Sequence, residues 1–232
     1  IENPELNDDI NLRGTKNIIN YANSNNIKKV IFASSAAVYG NCEDVPLVEE
    51  SAGDCRSPYA ESKFQSEKDL LSLMSRETQV HILRFFNVYG PGQDANSNYA
   101  AVIPSFIQRI TSGQSPTIFG DGSQSRDFIA VSDVVNLITQ ILLNHNNPQN
   151  GVYNVATQTE TSISELLRII TTSISEIDNT IEIPEIRYEE KRLGDITSSC
   201  ADISKVVNSF GWSPKIDLVK GIKSLVEFEL RG

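Results

Sequence analysis

Lys28-Lys-Val-Ile-Phe-Ala-Ser-Ser-Ala-Ala-Val-Tyr-Gly40 is the stretch that decides the fold. Its apolar, β-branched run closes on hydroxyls and a glycine, and it reads as a buried strand delivering Ser34 and Ser35 to its carboxyl end. In open α/β sheets, ligands collect at that edge. Further on, Ser57-Pro-Tyr-Ala-Glu-Ser-Lys63 sets Lys63 one helical turn after Tyr59, which stacks an ammonium beside a phenol. A tyrosine near pKa ~10 is a poor base at neutral pH, and a neighbouring cation favours its phenolate, as general acid–base chemistry requires. Tyr-x-x-x-Lys alone also occurs on ordinary solvated helix faces. Here the strand and its serine pair give it weight.

Outward from these two motifs, strands alternate with helices. Ile10, Ile18, Ile19 and Ala22 predict a helix over Asn7 to Asn25, stopped by Asn-Ser-Asn-Asn. Residues 41–58 read as an acidic loop with Pro46 and Pro58. The Tyr59 helix runs to about Ser75 with Phe64, Leu70, Leu71 and Met74 as its apolar face. Val80 to Phe86 is the next strand. An Asn/Gly/Pro loop, a helix from about Pro104, a short strand Thr117–Phe119 and the Asp127–Val131 stretch follow, the last leading into a helix to about Leu143. Beyond Gly151 come a strand, a helix from Ser162, a strand around Ile186 to Tyr188 and two closing helices. This alternation argues for an α/β fold, a Rossmann-type doubly wound parallel sheet with a smaller, mostly C-terminal α/β lobe. We expect residues 1–90 to form the later part of the Rossmann domain. Residues 91–232 are expected to be mainly the smaller lobe, with some segments returning to the first domain.

The 232 residues carry a formal net charge of -10, which argues against a nucleic-acid surface and against attraction to anionic membranes. No stretch approaches the ~18 apolar residues of a membrane span, and the chain reads as soluble. Cys42, Cys55 and Cys200, with His81 and His145, have no metal-ligand spacing. A reducing, cytoplasmic setting is expected. Arginines that bind phosphate must then be local features.

Strand, serine pair, Val-Tyr-Gly and Tyr-x-x-x-Lys together resemble the extended short-chain dehydrogenase/reductases, specifically the NAD-dependent nucleotide-sugar epimerases and dehydratases. The resemblance runs from about Asn11 to the C-terminus. It implies NAD as cofactor, with Asn11, Ser34, Tyr59, Lys63 and Phe86 beside it. Asn11 is equally well read as a helix cap. The family opens with a Gly-rich dinucleotide-binding turn, which no segment before Tyr59 supplies and which Gly120-Asp-Gly122 cannot replace. We therefore expect the sequence to be the later part of a longer protein, lacking roughly two βαβ units of ~30 residues each.

Further motifs extend the likeness. Leu83-Arg-Phe-Phe-Asn-Val-Tyr-Gly-Pro-Gly92 matches the family segment in which the residue at Asn87 bonds the nucleotide-sugar. Ser125-Arg-Asp-Phe128 and Arg192-Leu-Gly-Asp195 match the two elements whose arginines, here Arg126 and Arg192, hold the diphosphate, with Asp195 on ribose; an arginine fork suits that ligand. The family's 4,6-dehydratases carry Asp-Glu where this chain has Ala36 and Ala37, so C4 epimerisation is the implied reaction. Tyr59 would take the 4-hydroxyl proton, Ser35 would bond O4, and Lys63 would bind nicotinamide ribose and favour the phenolate.

Gln93 to Pro104 resembles UDP-N-acetylglucosamine 4-epimerases, with Ala101 and Val102 beside the sugar and Phe119 counted in the substrate-binding set. Seven residues after Arg192 stands Ser199, where a bulky family residue excludes an N-acetyl group. UDP-GlcNAc/UDP-GalNAc is thus the expected pair, feeding polysaccharide biosynthesis. UDP-glucose/UDP-galactose or a UDP-uronate, a 4-reductase or dehydrogenase, and a noncatalytic nucleotide-sugar-binding protein remain alternatives. The resemblance also implies a homodimer built on the Asn7–Asn25 and Tyr59 helices.

Overall fold

The computed structural model describes residues 4–42, 44–94, 101–144, 150–192 and 194–231. The first half comprises α1 (Pro4–Asp8), a π-helical turn (Asp9–Arg13), α2 (Gly14–Ser24), β1 (Lys29–Ser35), a 3-10 turn (Ala36–Tyr39), α3 (Pro58–Leu73), β2 (Gln79–Phe85), β3 (Asn87–Tyr89) and α4 (Val102–Thr111). Then come β4 (Thr117–Phe119), β5 (Ser125–Ala130), α5 (Val131–Leu143), β6 (Gly151–Val155), β7 (Glu160–Ser162), α6 (Ile163–Ile177), β8 (Arg187–Glu189), α7 (Ser204–Phe210) and α8 (Leu218–Arg231). These elements divide into two compact units. The first holds residues up to Phe86 with Val135–Gln158 and Ala201–Ser213; the second holds Asn87–Val134, Thr159–Cys200 and the C-terminal segment from Pro214.

The first unit is built on a parallel sheet of order β1-β2-β6. Its register runs from Lys29↔Gln79 to Ser35↔Phe85 and from His81↔Gly151 to Phe85↔Val155, so Ser35, Phe85 and Val155 finish at one carboxyl edge. One face buries Val80 and Ile82 against Ile19 of α2 and Leu70 of α3. Parallel strands require such covered faces, which is why their sequences are so continuously apolar. The amino-terminal helical run begins at Pro4, earlier than expected, and passes through the π turn before α2. Asn26, at φ 51°, ends it in the left-handed conformation that asparagine tolerates.

The packed side of α3 differs from its apolar pattern. Leu70 is buried, but so are Ser62, Ser66, Glu67 and Asp69, whereas Leu71 is exposed. The reason is tertiary: Ser66 meets the π turn by donating to Asn11 O at 3.4 Å, and Glu67 meets a buried arginine. Ser57 caps the helix by accepting from Ala60 N at 3.1 Å, and Pro58 occupies its first turn. Gly40 has φ 60°, and a Cβ there would lie 1.8 Å from Asp54 O, so only glycine lets the 41–58 loop fold back onto the 3-10 turn.

The second unit has a three-stranded sheet of order β3-β5-β7 and a β4-β8 pair. Within that sheet β3 and β5 run parallel, whereas β7 runs antiparallel to β5. Glu160–Ser162 is only three residues before α6 begins, too short to announce itself as a strand. Its core joins Ile103, Phe106 and Ile110 of α4, Leu166 and Ile170 of α6, and Ile222 and Val226 of α8.

His81 is fully buried in β2, edge-on to Phe210 at 5.7 Å and tilted against Tyr153 at 6.4 Å. Neither ring nitrogen has a hydrogen-bond partner among the described residues. Burial, aided by the Lys29 charge, pushes its pKa down to about 4. The folded state therefore prefers neutral histidine, and this stabilisation is present above the unfolded value near ~6.5 and lost as pH falls toward the folded one. Between pH ~6.5 and ~4 the protein should lose about 3 kcal/mol more unfolding free energy than its His81→Phe variant. Urea titrations at several pH values measure this; parallel curves for the two proteins would refute it.

Candidate functional site

At the carboxyl edge of the first unit, Tyr59 stands in the first turn of α3 and is 43% exposed. Lys63 follows one turn later. Its Nζ lies 5.8 Å from the Tyr59 ring centroid and 4.9 Å from that of Phe32, and donates to Ala33 O at 3.0 Å. Burial lowers the pKa of this ammonium. Helical spacing thus delivers what it promised, a cation beside a solvent-facing phenol.

Ser35 and Ser34 point apart, as successive strand residues must. Ser35 Oγ accepts from Ala37 N at 3.2 Å and caps the 3-10 turn; with that lone pair engaged, its own O–H remains to donate. Ser34 is buried, and its hydroxyl donates to Glu67 Oε1, so its side chain serves the interior. Phe86 is buried and tilted against Tyr39 at 6.0 Å. Asn11 sits inside the π turn and donates to Asn7 Oδ1 at 2.7 Å, so its side chain does not cap a helix end.

In the second unit, Asn87, Val102, Phe119, Arg126, Arg192 and Asp195 line one cavity of about 240 Å³. They come from β3, α4, β4, β5 and the segment after β8. Arg126 is held in place by three acceptors: Ser125 O and Ile196 O at 2.7 Å, and Asp195 Oδ1 at 2.5 Å. Arg192 lays its guanidinium 3.8 Å from the Phe119 ring centroid. Two cations, one countered by a carboxylate and one stacked on an aromatic face, suit an anionic ligand joined to a planar group.

Gln124, Ser105 and Thr117 also line this cavity and had no motif to announce them. Gln124 Nε2 donates to Phe119 O at 2.7 Å, steadying the end of β4. Ala101 is exposed ahead of α4, and Ser199 is buried; neither is among the cavity-lining residues. Glu160 accepts from the hydroxyls of Ser198 and Ser125, which hold its carboxyl below the usual range. Among the described residues no cluster of histidine, cysteine and carboxylates has metal-binding geometry, and no helix is long and apolar enough to cross a membrane. His145 lies outside the described residues.

Comparison with known proteins extends the match over the whole chain. A Methanocaldococcus jannaschii protein provisionally named UDP-glucose 4-epimerase is 39% identical over 231 residues, covering 98% of this chain and 72% of that one. The solved UDP-N-acetylglucosamine 4-epimerase of Methanobrevibacter ruminantium, in complex with UDP-N-acetylmuramic acid, is 37% identical, covers 97% of this chain and 70% of its own, and superposes with a TM-score of 0.86. The Thermotoga maritima UDP-glucose 4-epimerase with UDP-glucose is 30% identical, covers 100% and 72%, and superposes with a TM-score of 0.88. The sequence profile of the NAD dependent epimerase/dehydratase family matches residues 1–156, the span that contains the serine pair, the Tyr59–Lys63 helix and both arms of the central sheet. The chain belongs to that family.

Proposed function

We propose that this chain epimerises C4 of a UDP-hexose with NAD as cofactor, and that UDP-GlcNAc/UDP-GalNAc is its preferred pair. The observation that carries the reading is the single cavity gathering Asn87, Phe119, Arg126, Arg192 and Asp195. It offers a diphosphate two guanidinium groups and a ribose one carboxylate, in a chain whose net charge is otherwise strongly negative. The similarity to 4-epimerases supports the reaction class. The absence of side-chain acids at Ala36 and Ala37, in the turn after Ser35, argues against dehydration.

The residues of the first unit fit the nicotinamide-ribose side of NAD. Among the described residues Lys63 uses one hydrogen bond, to Ala33 O, leaving further N–H donors for a sugar hydroxyl. Asn11 and Phe86 complete that set in our reading. A Gly-rich strand-to-helix turn for the pyrophosphate is not found among the described residues.

Tyr59 takes the proton from the sugar 4-hydroxyl and later returns it. Lys63, fixed beside the ring, stabilises the phenolate charge as it develops. Ser35 donates its O–H to O4, while one of its Oγ lone pairs keeps the bond from Ala37 N–H. NAD, held in this reading by Asn11, Lys63 and Phe86, would supply the hydride chemistry at C4. Arg126 and Arg192 retain the diphosphate while the 4-keto sugar turns over.

Acetyl tolerance rests on the small Ser199, four positions past the ribose residue Asp195. We also propose that the chain acts as a homodimer. Ile10 of the π turn, Ile18 and Tyr21 of α2, and Leu71 and Leu73 of α3 are exposed, apolar surface of the kind that interfaces cover.

Three measurements test these statements. Tyr59→Phe should lower turnover about 10²- to 10⁴-fold, followed by NMR of the sugar products, while UDP affinity by calorimetry stays within about twofold; retained turnover would sink the mechanism. Ser199→Tyr should cost UDP-GlcNAc turnover at least about tenfold more than UDP-glucose turnover. Equal losses would reject a role for Ser199 in acetyl tolerance. Sedimentation should give twice the chain mass at micromolar concentration, and a monomer would reject the dimer.

A further inference from the structure

Glu67 lies on α3 one turn after Lys63 and two turns after Tyr59, with its side chain 3% exposed. Its carboxylate accepts Arg84 Nε at 3.0 Å and Nη2 at 2.7 Å, a two-pronged pairing, and also the Ser34 hydroxyl of β1. Arg84, in β2, directs Nη1 to Tyr39 Oη at 3.0 Å and to Glu49 O at 2.6 Å. Tyr39 in turn donates to Asn154 Oδ1 of β6 at 2.5 Å, and Asn154 N–H donates to Glu49 Oε1 at 2.8 Å. One buried guanidinium thereby joins α3, β1, β2, β6 and the turn that follows Ser35.

Each arm ends next to a residue of the proposed reaction. Ser34 precedes Ser35, Tyr39 closes the turn that Ser35 caps, and Glu67 follows Lys63, whose ammonium bonds the neighbouring Ala33 O. Neither charge tolerates burial alone, so α3 cannot slide along β1 without breaking the pair. Stability alone gives no reason for it, since apolar side chains of similar volume often stabilise such sites as well or better. Geometry gives the reason: a fork meeting a carboxylate fixes direction as well as distance.

We propose that the Glu67–Arg84 pair is a positioning device, setting the register of α3 against β1 and thereby the places of the Tyr59 hydroxyl and the Lys63 ammonium relative to the Ser35 hydroxyl. The inference rests on the epimerase reading above. Glu67 and Arg84 touch neither sugar nor cofactor in it; they act through Lys63, Tyr59 and Ser35.

Glu67→Gln and Arg84→Lys in the NAD-loaded enzyme should each lower kcat about 10- to 100-fold, the cost of a small misplacement, with KM for the UDP-sugar within about twofold. In the same proteins without substrate, trinitrobenzenesulfonate should label Lys63 several-fold faster, read by peptide mass spectrometry, while the exposed Lys28 reacts at its wild-type rate. Undiminished kcat, a loss shared with KM, or unchanged Lys63 labelling overturns the proposal. Should these variants fail to fold by near-UV circular dichroism, Ser34→Ala cuts only the β1 arm and should show the same split at about three- to tenfold; full kcat in it also overturns the proposal. A wild-type protein that turns over no UDP-sugar rejects the epimerase reading instead, and Lys63 labelling then decides alone whether the pair holds α3.

Discussion

A guanidinium and a carboxylate buried together between α3 and β2 tie the elements of the first unit to one another. Arg84 and Glu67 are each only a few per cent exposed, and burial opposes the arginine's charge. Its bonds to Glu67 and the tyrosine beside it outweigh that and raise its pKa. The same burial pushes the Tyr39 hydroxyl up to about 12, so it stays protonated and keeps its donor for Asn154. The network is satisfied because each member has a partner, and polar interiors of this kind hold one arrangement. Strand, turn and helix are locked in a single register where the serine, tyrosine and lysine of the site emerge.

The second unit solves a different electrostatic problem. On the proposed function, a chain of net charge -10 must still present a patch that attracts the diphosphate. It does so locally, by drawing Arg126 and Arg192 to one cavity. Asp195 and two carbonyl oxygens keep Arg126 oriented, and the Phe119 ring supports Arg192. Preorganised cations lose less side-chain entropy when a ligand arrives than freely moving ones. The Asp195 carboxylate also moderates the charge, so ligand recognition combines attraction with a defined shape.

The amino-terminal helical run shows how polar groups become packing groups. In the π turn, Asn11 O accepts from Thr15 Oγ1 at 2.6 Å and from Ser66 Oγ at 3.4 Å. The small side chain of Ser66 lets α3 come close to that turn while donating to the Asn11 carbonyl, whereas the buried Ser62 hydroxyl donates to Tyr59 O of its own helix.

Much was legible in the chain itself. The Lys29–Ser35 strand, the helix that carries Tyr59 and the one-turn spacing of Tyr59 and Lys63 follow from local rules: period and propensity act within a few residues. The family likeness of Asn87, Arg126, Arg192 and Asp195 was also legible, though not that their side chains share one cavity. Tertiary structure alone decided the buried face of α3, because Ser62, Ser66 and Glu67 look solvent-facing until Asn11 O, Ser34 and Arg84 arrive from distant positions. It decided the antiparallel β7, whose three residues carry too little pattern, and the cavity places of Gln124, Ser105 and Thr117. Local sequence fixes which elements form, since each depends on neighbours along the chain. Which polar groups are buried depends on partners brought from far away, and only the folded chain supplies them.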